Sequence, residues 1–309
     1  MRPNALAVLF FTTFGMAGSC FGQSQKPCLA FLLKGGVTVT CESQKAQITR
    51  HGDLEGFAIN DERAELAYTT SRIVKRVGAV TTSADTTTVV ELKSGTSKAV
   101  DGISGIVSTC GGLFSANTRG AIPSVRDPAT GEELSFQPFL WFRCSADRKT
   151  VVGTAKNPGG ELYEGVPPRT KIADVGSFDA YSFNISNNGS KVAYHDGRLC
   201  VFSSPGPPQC VEPQGSALSD TPSVNDLGEV LVATGTGEEC FYKSTYNFSS
   251  QRAPGAKADE CVGIGYWKPS LQSIQIIEPL GRSPQWINPA TAELLRKWSA
   301  AQQGGSAPK

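Results

Sequence analysis

Four segments of the chain can be aligned with their apolar and turn residues in step. They are residues 57–68, 142–153, 183–194 and 222–233. In the clearest segment, Ile185 leads into a polar turn at residues 186–190, and an alternating strand then runs to Tyr194. Units of this kind are too small to bury their own faces, so they stack on their neighbours. The pattern therefore predicts a repeat protein.

The spacing of the polar turns indicates the architecture. The residues that open them are about 85, 41 and 39 apart, and the first interval is roughly two periods of about 42. These residues are Asn60, Ser145, Ser186 and Asn225. One more copy is expected at residues 106–114, which have strand composition but lack the polar turn. Such a period is typical of four-stranded propeller blades. We predict an all-β fold, a β-propeller of about five to six four-stranded blades.

The blades are expected at residues 57–92, 106–136, 142–175, 183–213 and 222–280. A hairpin at residues 29–33 and 36–41 is expected to pair with C-terminal strands, since closure of the ring removes exposed sheet edges. Residues 81–88 are rich in Ser and Thr and are interpreted as a loop. Asp127 and Gly131 predict a hairpin turn, because Asp opens turns and Gly adopts a positive φ.

The first 22 residues have the features of a secretory signal peptide. Arg2 gives a positive start, an apolar run follows at residues 5–16, and small residues near Gly22 suit cleavage. The propeller domain is then expected at residues 23–285. The residues before Cys20 also resemble a bacterial lipobox, in which Cys20 becomes an acylated N-terminus. The alternatives are a secreted or periplasmic protein that is free, or one that is lipid-anchored through Cys20; no membrane span is expected.

Cysteine usage agrees with export. The chain has nine cysteines, and setting Cys20 aside leaves an even number. Pairing in sequence order is favoured, because each pair then brackets a hairpin or an inter-strand loop. The expected disulfides are Cys28 with Cys41, Cys110 with Cys144, Cys200 with Cys210, and Cys240 with Cys261. Metal binding is disfavoured, because paired C-x-x-C spacing is lacking and His51 and His195 are the only histidines.

The C-terminal segment changes to helical periodicity. Asn288 suits an N-cap and Pro289 suits the first turn. Leu294, Leu295 and Trp298 share one face at helical spacing. We expect a helix at residues 286–301 that docks on the propeller, followed by a disordered tail at residues 302–309.

The charge of the chain is low and balanced. Its 29 Lys and Arg against 28 Asp and Glu give a net charge of +1, and no basic cluster is interleaved with aromatic residues. The electrostatic term that supplies most of the affinity for phosphate backbones therefore has no source. Nucleic acid is excluded as a partner, and so is a membrane surface. No cofactor motif occurs, and a monomer is expected.

Residues that could support catalysis are interpreted as turn residues. No G-x-S-x-G nucleophile motif occurs. His195 is followed by a carboxylate, but neighbouring strand residues point to opposite faces. Glycoside hydrolysis needs two carboxyl groups that face each other across a cleft. The pairs Asp61 with Glu62 and Glu132 with Glu133 both lie in predicted turns, where acidic residues are common.

The longest insertion lies between Cys240 and Cys261. A long loop of this kind is often functional, and aromatic side chains are enriched at interfaces. Two interpretations remain open: an exposed loop without a function, or a binding loop. The residues of the binding loop would be Phe241, Tyr242, Tyr246 and Phe248.

The segment from Ile185 to Tyr194 resembles the repeat of the TolB-like, WD40-like (PD40-type) β-propellers, whose units read roughly F-S-P-D-G-K-x-I-A-F. Asn187 stands in place of the proline and Asn188 in place of the aspartate, while Arg63 and Arg148 replace the turn glycine in two other copies. The resemblance implies the propeller fold and a tendency to bind proteins at the cell envelope. It implies no particular site residue.

Two functional hypotheses follow. The first is a non-catalytic propeller that binds another envelope or extracellular protein, or a ligand, as a scaffold. The alternative is a propeller hydrolase or lyase acting on a sugar or lactone at the mouth of the central channel. That alternative needs several charged side chains that converge there, and the candidates are Arg63, Arg126, Arg148 and His195. The first hypothesis is favoured, because no convergent catalytic set is evident.

Overall fold

The computed structural model describes residues 28–235 and 262–304, apart from 43, 50–53, 78–79, 102–103, 111–112, 118–123, 128–129, 137–138, 156–160, 166–167, 175–182 and 215–216. Within these ranges the chain forms six four-stranded antiparallel sheets and a C-terminal helix. Each sheet is one blade. The predicted signal peptide with Cys20, and the insertion with its aromatic residues, lie outside the described residues.

The strands of each blade follow one another in the chain, except in the blade that joins its two ends. In order of pairing, blade 1 contains β24 (Arg282–Ile287), β1 (Cys28–Leu33), β2 (Gly36–Cys41) and β3 (Gln44–Gln47). Blade 2 contains β4 (Leu54–Asn60), β5 (Glu65–Val77), β6 (Val80–Glu91) and β7 (Ser97–Asp101). Blade 3 contains β8 (Ser104–Cys110), β9 (Leu113–Asn117), β10 (Ser124–Arg126) and β11 (Glu133–Leu134).

The second half of the chain repeats this order. Blade 4 contains β12 (Phe139–Cys144), β13 (Val151–Ala155), β14 (Glu161–Glu164) and β15 (Thr170–Asp174). Blade 5 contains β16 (Phe183–Ile185), β17 (Val192–His195), β18 (Leu199–Phe202) and β19 (Gln209–Val211). Blade 6 contains β20 (Ala217–Val224), β21 (Val230–Gly235), β22 (Val262–Trp267) and β23 (Gln275–Glu278).

The six blades form a closed ring. Their first strands β4, β8, β12, β16, β20 and β24 contact one another in this order, and β24 contacts β4 again. The N-terminal strand β1 pairs with both β2 and the C-terminal strand β24, as the sequence predicted. Buried apolar clusters join blades 1 and 2, 3 and 4, 4 and 5, 5 and 6, and 6 and 1. The prediction of a β-propeller of five to six blades is therefore confirmed.

The aligned repeats occupy equivalent places in the ring. Each comprises the end of an innermost strand, a turn, and the start of the second strand. The degenerate copy at residues 106–114 is the β8–β9 hairpin of blade 3. The residue that opens each turn binds the turn's own backbone; Ser186 Oγ, for example, accepts a hydrogen bond from Lys191 N at 3.1 Å. The polar residues that recur in each repeat are thus the residues that form this turn.

In one of the four repeats, the residue with a positive φ angle is not the residue that aligns with the turn glycine. Gly189, Gly228 and Arg148 adopt positive φ angles of 76°, 80° and 61° at the third position after the opening residue. In the first copy the positive φ of 53° belongs to Ala64, and not to Arg63. Ala64 packs into the core between blades 1 and 2, so the shift buries its methyl group.

Residues 81–88, interpreted as a loop, instead belong to β6, and this prediction was wrong. Threonine is β-branched and favours extended backbone, so a Thr-rich segment forms a strand once a partner is present. Strands β5 and β6 pair as far as Val77 with Val80. Blade 2 also continues to Asp101, beyond its predicted end at residue 92, because β7 adds a fourth strand.

Three of the four predicted disulfides are present. Cys28–Cys41 and Cys200–Cys210 each join residues that face each other on neighbouring strands. Cys110–Cys144 joins two blades, and the blade bounds predicted from sequence also place these two cysteines in different blades. It joins the end of β8 to the end of β12, and so links the innermost strands of blades 3 and 4. Cys240 and Cys261 lie outside the described residues.

The C-terminal helix α1 (Pro289–Gly304) has the predicted N-cap and first-turn residues, but it begins after the predicted start at residue 286, because Trp286 and Ile287 complete β24 and pair with β1. Asn288 caps it, because its Oδ1 accepts the Thr291 N–H at 2.7 Å. Leu295 is fully buried, and Leu294 and Trp298 pack against the core between blades 1 and 2. Residues 302–304, expected in the disordered tail, form the last turn of the helix. Among the described residues, no helix has the length and apolar character needed to cross a bilayer.

Candidate functional site

The ring has two faces with different connections. Successive antiparallel strands alternate in direction, so the first and third turns of every blade lie on one face and the second turn lies on the other. We call the first the repeat face; it carries the turns at residues 61–64, 146–149, 187–190 and 226–228. On the connection face, β5 ends and β6 begins in blade 2, and β21 ends and β22 begins in blade 6.

Turns on the repeat face are joined from blade to blade. Ala146 N donates a hydrogen bond to Asn187 O at 2.7 Å, which links blades 4 and 5. Asn188 N donates to Asp226 Oδ1 at 3.0 Å, which links blades 5 and 6. Asn288 N donates to the Asp61 carboxylate at 3.1 Å, which ties the end of β24 to blade 2. The polar turn residues therefore hold neighbouring blades together.

The arginines that replace the turn glycine also link blades. Arg63 donates to the carboxylate of Asp127 in blade 3, and to Glu65 Oε1 at 2.9 Å. Arg148 donates to Glu132 Oε1 at 2.7 Å, and Glu132 lies in the same turn as Asp127. Burial raises the pKa of the Glu65 carboxyl, and the Arg63 guanidinium partly offsets this. Blade 3 is thus held by ion pairs from blades 2 and 4.

The side chains considered for catalysis do not converge on one mouth of the channel. Arg63 and Arg148 lie in repeat-face turns, where they bind carboxylates, and Arg126 is exposed on β10 beside such a turn. His195 ends β17 and leads into a turn on the connection face, where Asp196 Oδ1 accepts the Arg198 N–H at 3.0 Å.

The predicted carboxylate pairs do not face each other across a cleft in the described contacts. Asp61 binds the helix N-terminus and Glu132 binds Arg148. The structure places Asp61 in the β4–β5 turn and Glu132 in the β10–β11 turn, as the sequence predicted, but Glu133 begins strand β11 and is not a turn residue. Over the part of the chain that the structure describes, His, Cys, Asp and Glu residues form no group of three that could hold a metal ion.

In the part of the chain whose side chains are described, the large exposed hydrophobic residues all lie in one blade. Among the described side chains they are Leu227, Ile276 and Ile277, with exposed fractions of 79%, 49% and 44%. Leu227 lies in the β20–β21 turn, while Ile276 and Ile277 are adjacent on the outermost strand β23. All three belong to blade 6, which also carries the long insertion. We call these three residues the blade 6 apolar set.

Strand β23 is held close to β22 by glycine. Ile276 pairs with Gly265, and a Cβ at Gly265 would lie 2.5 Å from the Ile274 side chain and 2.9 Å from Thr234. At the end of β23, Glu278 forms an ion pair of 2.7 Å with Lys45 on the outermost strand of blade 1. The strand that carries the two isoleucines is therefore fixed at both its sheet edge and its end.

Leu227 is presented by a turn with its own polar support. Asn225 Oδ1 accepts the Leu227 N–H at 3.1 Å and the Glu229 N–H at 2.9 Å. The Glu229 carboxylate in turn accepts hydrogen bonds from Asn225 Nδ2 and Tyr266 Oη, each at 2.8 Å. Burial, reinforced by the Glu229 bond, raises the pKa of Tyr266 to about 12. The exposure of Leu227 is thus a property of an ordered turn.

The aromatic residues proposed for binding, Phe241, Tyr242, Tyr246 and Phe248, lie outside the described residues. The strands that flank them are described: Gly235 and Val262 face each other across β21 and β22, so the insertion leaves and re-enters blade 6. Leu227, Ile276 and Ile277 are not among the binding residues predicted from the sequence. Two consecutive isoleucines in the outermost strand of a blade were the available signal, since only one of two neighbouring residues can face a given adjacent blade.

Solved β-propellers are similar to this chain in structure. A quinoprotein alcohol dehydrogenase-like protein from Bacteroides thetaiotaomicron has 9% identity and a TM-score of 0.44, with 81% of this chain and 62% of that chain covered. The β-propeller domain of Cps50 (Swd1) from Myceliophteria thermophila has 12% identity and a TM-score of 0.43, with 74% and 87% covered. An oligogalacturonate lyase in complex with manganese has 12% identity and a TM-score of 0.43, with 67% and 70% covered.

At the level of sequence, no family model and no curated protein matches the chain. The assignment of the fold therefore rests on the sheet topology itself: six four-stranded blades around a ring that β1 and β24 close.

Proposed function

We propose that this protein is an exported, non-catalytic β-propeller scaffold that binds another protein through blade 6. The observation that carries the proposal is that, among the side chains that the structure describes, the large exposed hydrophobic ones all lie in that blade. Burying an aliphatic side chain of this size stabilises a complex by roughly 1.5 to 3 kcal/mol. A partner that covers blade 6 would remove the apolar surface of these side chains from water.

The charged residues of the repeat face support binding over hydrolysis or lysis of a sugar or lactone. Arg63 and Arg148 bind carboxylates of blade 3, and Asp61 binds the helix N-terminus. These charged groups hold neighbouring blades together. We therefore assign them a role in the stability of the ring and not in catalysis.

Export to the periplasm or the exterior belongs to the proposal. It is supported by the signal-like first 22 residues and by three disulfides, which persist in oxidising compartments. Acylation of Cys20 would keep the propeller at a membrane surface, and cleavage near Gly22 would release it as a monomer. The proposal includes a relationship to the TolB-like propellers, which the pattern of residues 185–194 indicates. The proposed partner is another envelope or extracellular protein.

The proposal is tested by quantitative affinity capture from an envelope extract. The Ile276→Thr, Ile277→Thr variant keeps β-branched side chains on β23 but removes much of their apolar surface. The matched control is Gln209→Thr, Glu212→Thr, which changes exposed residues at the outer edge of blade 5. We expect a partner captured by the wild type and the control to be depleted at least fivefold with the isoleucine variant, since two lost apolar contacts of about 1 kcal/mol each suffice. Equal capture by all three proteins would refute binding through β23.

A further inference from the structure

Blade 2 carries a two-stranded extension beyond its own sheet. Strand β4 pairs with β5 only as far as Leu54 with Thr70, and β7 pairs with β6 only as far as Asp101 with Thr86. Residues 71–77 of β5 and 80–85 of β6 continue past these points, and among the described strands they pair only with each other. We call residues 71–85 the arm. Seven residues of extended strand span about 23 Å.

The edge of the arm formed by residues 71–77 has main-chain groups that none of the described strands of the blade pairs with. In an antiparallel pair, each strand directs about half of its N–H and C=O groups toward its partner and the rest away from it. On one side of residues 71–77, the N–H and C=O groups bond to β6. On the other side, no described strand continues β4, so no described strand pairs with those groups. An edge of this length is a template for the addition of another strand.

The sequence of the arm is basic. Residues 71–77 include Arg72, Lys75 and Arg76 and no acidic residue, and the arm's single acidic residue is Asp85. Three positive charges against one negative give the arm a net charge of +2, in a chain whose total is +1. The register places the three basic residues opposite Ala84, Thr82 and Thr81, so no carboxylate occupies a facing position on β6.

We propose that the edge of residues 71–77 receives an acidic, extended segment of a partner protein as an added β-strand. The inference rests on the proposed function and names a second element of the same binding protein. Main-chain hydrogen bonds would supply the affinity, and the basic residues would select acidic segments. The same charges repel a second copy of the arm, which disfavours self-association through this edge.

The test uses the full mature protein and three short peptides, with binding measured by fluorescence anisotropy at low and at physiological salt. The first is an alternating Glu-Val peptide, the second is the same peptide N-methylated on alternate residues, and the third is an alternating Lys-Val peptide. N-methylation keeps the charge but removes the main-chain donors of one edge. We expect the Glu-Val peptide to bind, the N-methylated peptide to bind roughly tenfold more weakly or worse, and the Lys-Val peptide not to bind.

The variant Arg72→Glu, Lys75→Glu, Arg76→Glu should no longer bind the Glu-Val peptide and should bind the Lys-Val peptide. A matched control, Lys93→Glu, Lys149→Glu, Lys297→Glu, makes the same change of net charge at exposed sites elsewhere and should retain the wild-type preference. If the arm variant does not fold, the N-methylated peptide still tests the inference on the wild-type protein.

Equal binding of the methylated and unmethylated peptides would overturn strand addition. So would equal loss of binding in the arm variant and the control, or binding of anionic phosphatidylglycerol vesicles in place of the peptide. Capture of a partner through Ile276 and Ile277 is a separate measurement. If that capture succeeds while the peptides fail, the arm inference is refuted and the proposed function stands.

Discussion

The side chain of Gln285 binds both backbone groups of Ile59, across a separation of 226 residues. Its Oε1 accepts the Ile59 N–H at 3.0 Å, and its Nε2 donates to the Ile59 carbonyl oxygen at 2.7 Å. Gln285 lies on the C-terminal strand β24 and Ile59 on β4, the innermost strands of blades 1 and 2. On the other side of β24, Trp286 N donates to Ser223 Oγ in blade 6 at 3.0 Å. The last strand is therefore fixed to both neighbouring blades.

Substitution of Gln285 should loosen the closure of the ring. Gln285→Ala leaves the Ile59 N–H and carbonyl without these partners, and each unsatisfied group costs about 1 to 3 kcal/mol when it stays buried. We expect the free energy of unfolding in urea to fall by about 2 to 4 kcal/mol. Gln209→Ala, at an exposed position, should change it by less than about 0.5 kcal/mol. Similar effects of the two substitutions would show that the Gln285 amide does not stabilise the closure.

The glycine of the clearest repeat is required for two reasons that can be separated. Gly189 has a φ of 76°, and an added Cβ would lie 2.6 Å from the Thr150 hydroxyl in the next blade. Gly131 has nearly the same φ, 77°, but open space around it. Gly131→Ala should therefore cost about 1 to 2 kcal/mol of strain, and Gly189→Ala at least 1 kcal/mol more. Equal losses of stability in the two variants, measured by thermal unfolding, would show that the Thr150 side chain moves away from the added methyl group at no energetic cost.

The disulfide that joins two blades should contribute more stability than the one within a blade. Cys110–Cys144 spans 34 residues, whereas Cys200–Cys210 spans 10. Loop-closure entropy predicts that the Cys110→Ala, Cys144→Ala variant loses about 1 kcal/mol more than the Cys200→Ala, Cys210→Ala variant. Denaturant unfolding of both variants measures the difference. A larger loss from the Cys200–Cys210 pair would contradict the argument that the longer closed loop contributes the greater stability.

Asp61 should make the stability depend on pH in a defined direction. Burial raises the pKa of its carboxyl above 3.8, although hydrogen bonds from Thr291 and Asn288 oppose the shift. A carboxyl with a raised pKa in the folded state contributes stability that is present below its unfolded pKa and is lost as pH rises through the folded pKa. The stability of Asp61→Asn relative to wild type should therefore increase as the pH rises above about 4. A difference that stays constant or falls between pH 4 and 7 would contradict this.

The repeat and the closure of the ring could be predicted from sequence because both depend on local patterns. The turn residues Asn60, Ser145, Ser186 and Asn225 recur at a fixed interval, and the period selects the propeller. Strand β1 was placed at the ring closure because a hairpin before the first blade otherwise leaves open edges. The cysteine order gave three pairs correctly, although Cys110–Cys144 joins blades, which depends on how the sheets stack and not on spacing.

The errors arose where tertiary contacts decide the outcome. The Thr-rich part of β6 has no alternating pattern that would mark a half-buried strand, and only its pairing with β5 makes it one. The exposure of Ile276 and Ile277 depends on the place of β23 at the rim of blade 6. Apolar residues in a predicted strand are normally assigned to the core, so Ile276 and Ile277 were not among the predicted binding residues, although the predicted binding loop belongs to the same blade.

The most direct measurement is site-specific photo-crosslinking in the intact cell. A photoreactive phenylalanine analogue is placed at position 277 on β23 and, in a matched control, at position 209 on β19, both exposed positions on outermost strands. Binding through blade 6 predicts a discrete protein adduct from position 277 and none from position 209. Adducts of equal yield from both positions, or an adduct from position 209 alone, would contradict the claim that blade 6 is the binding surface.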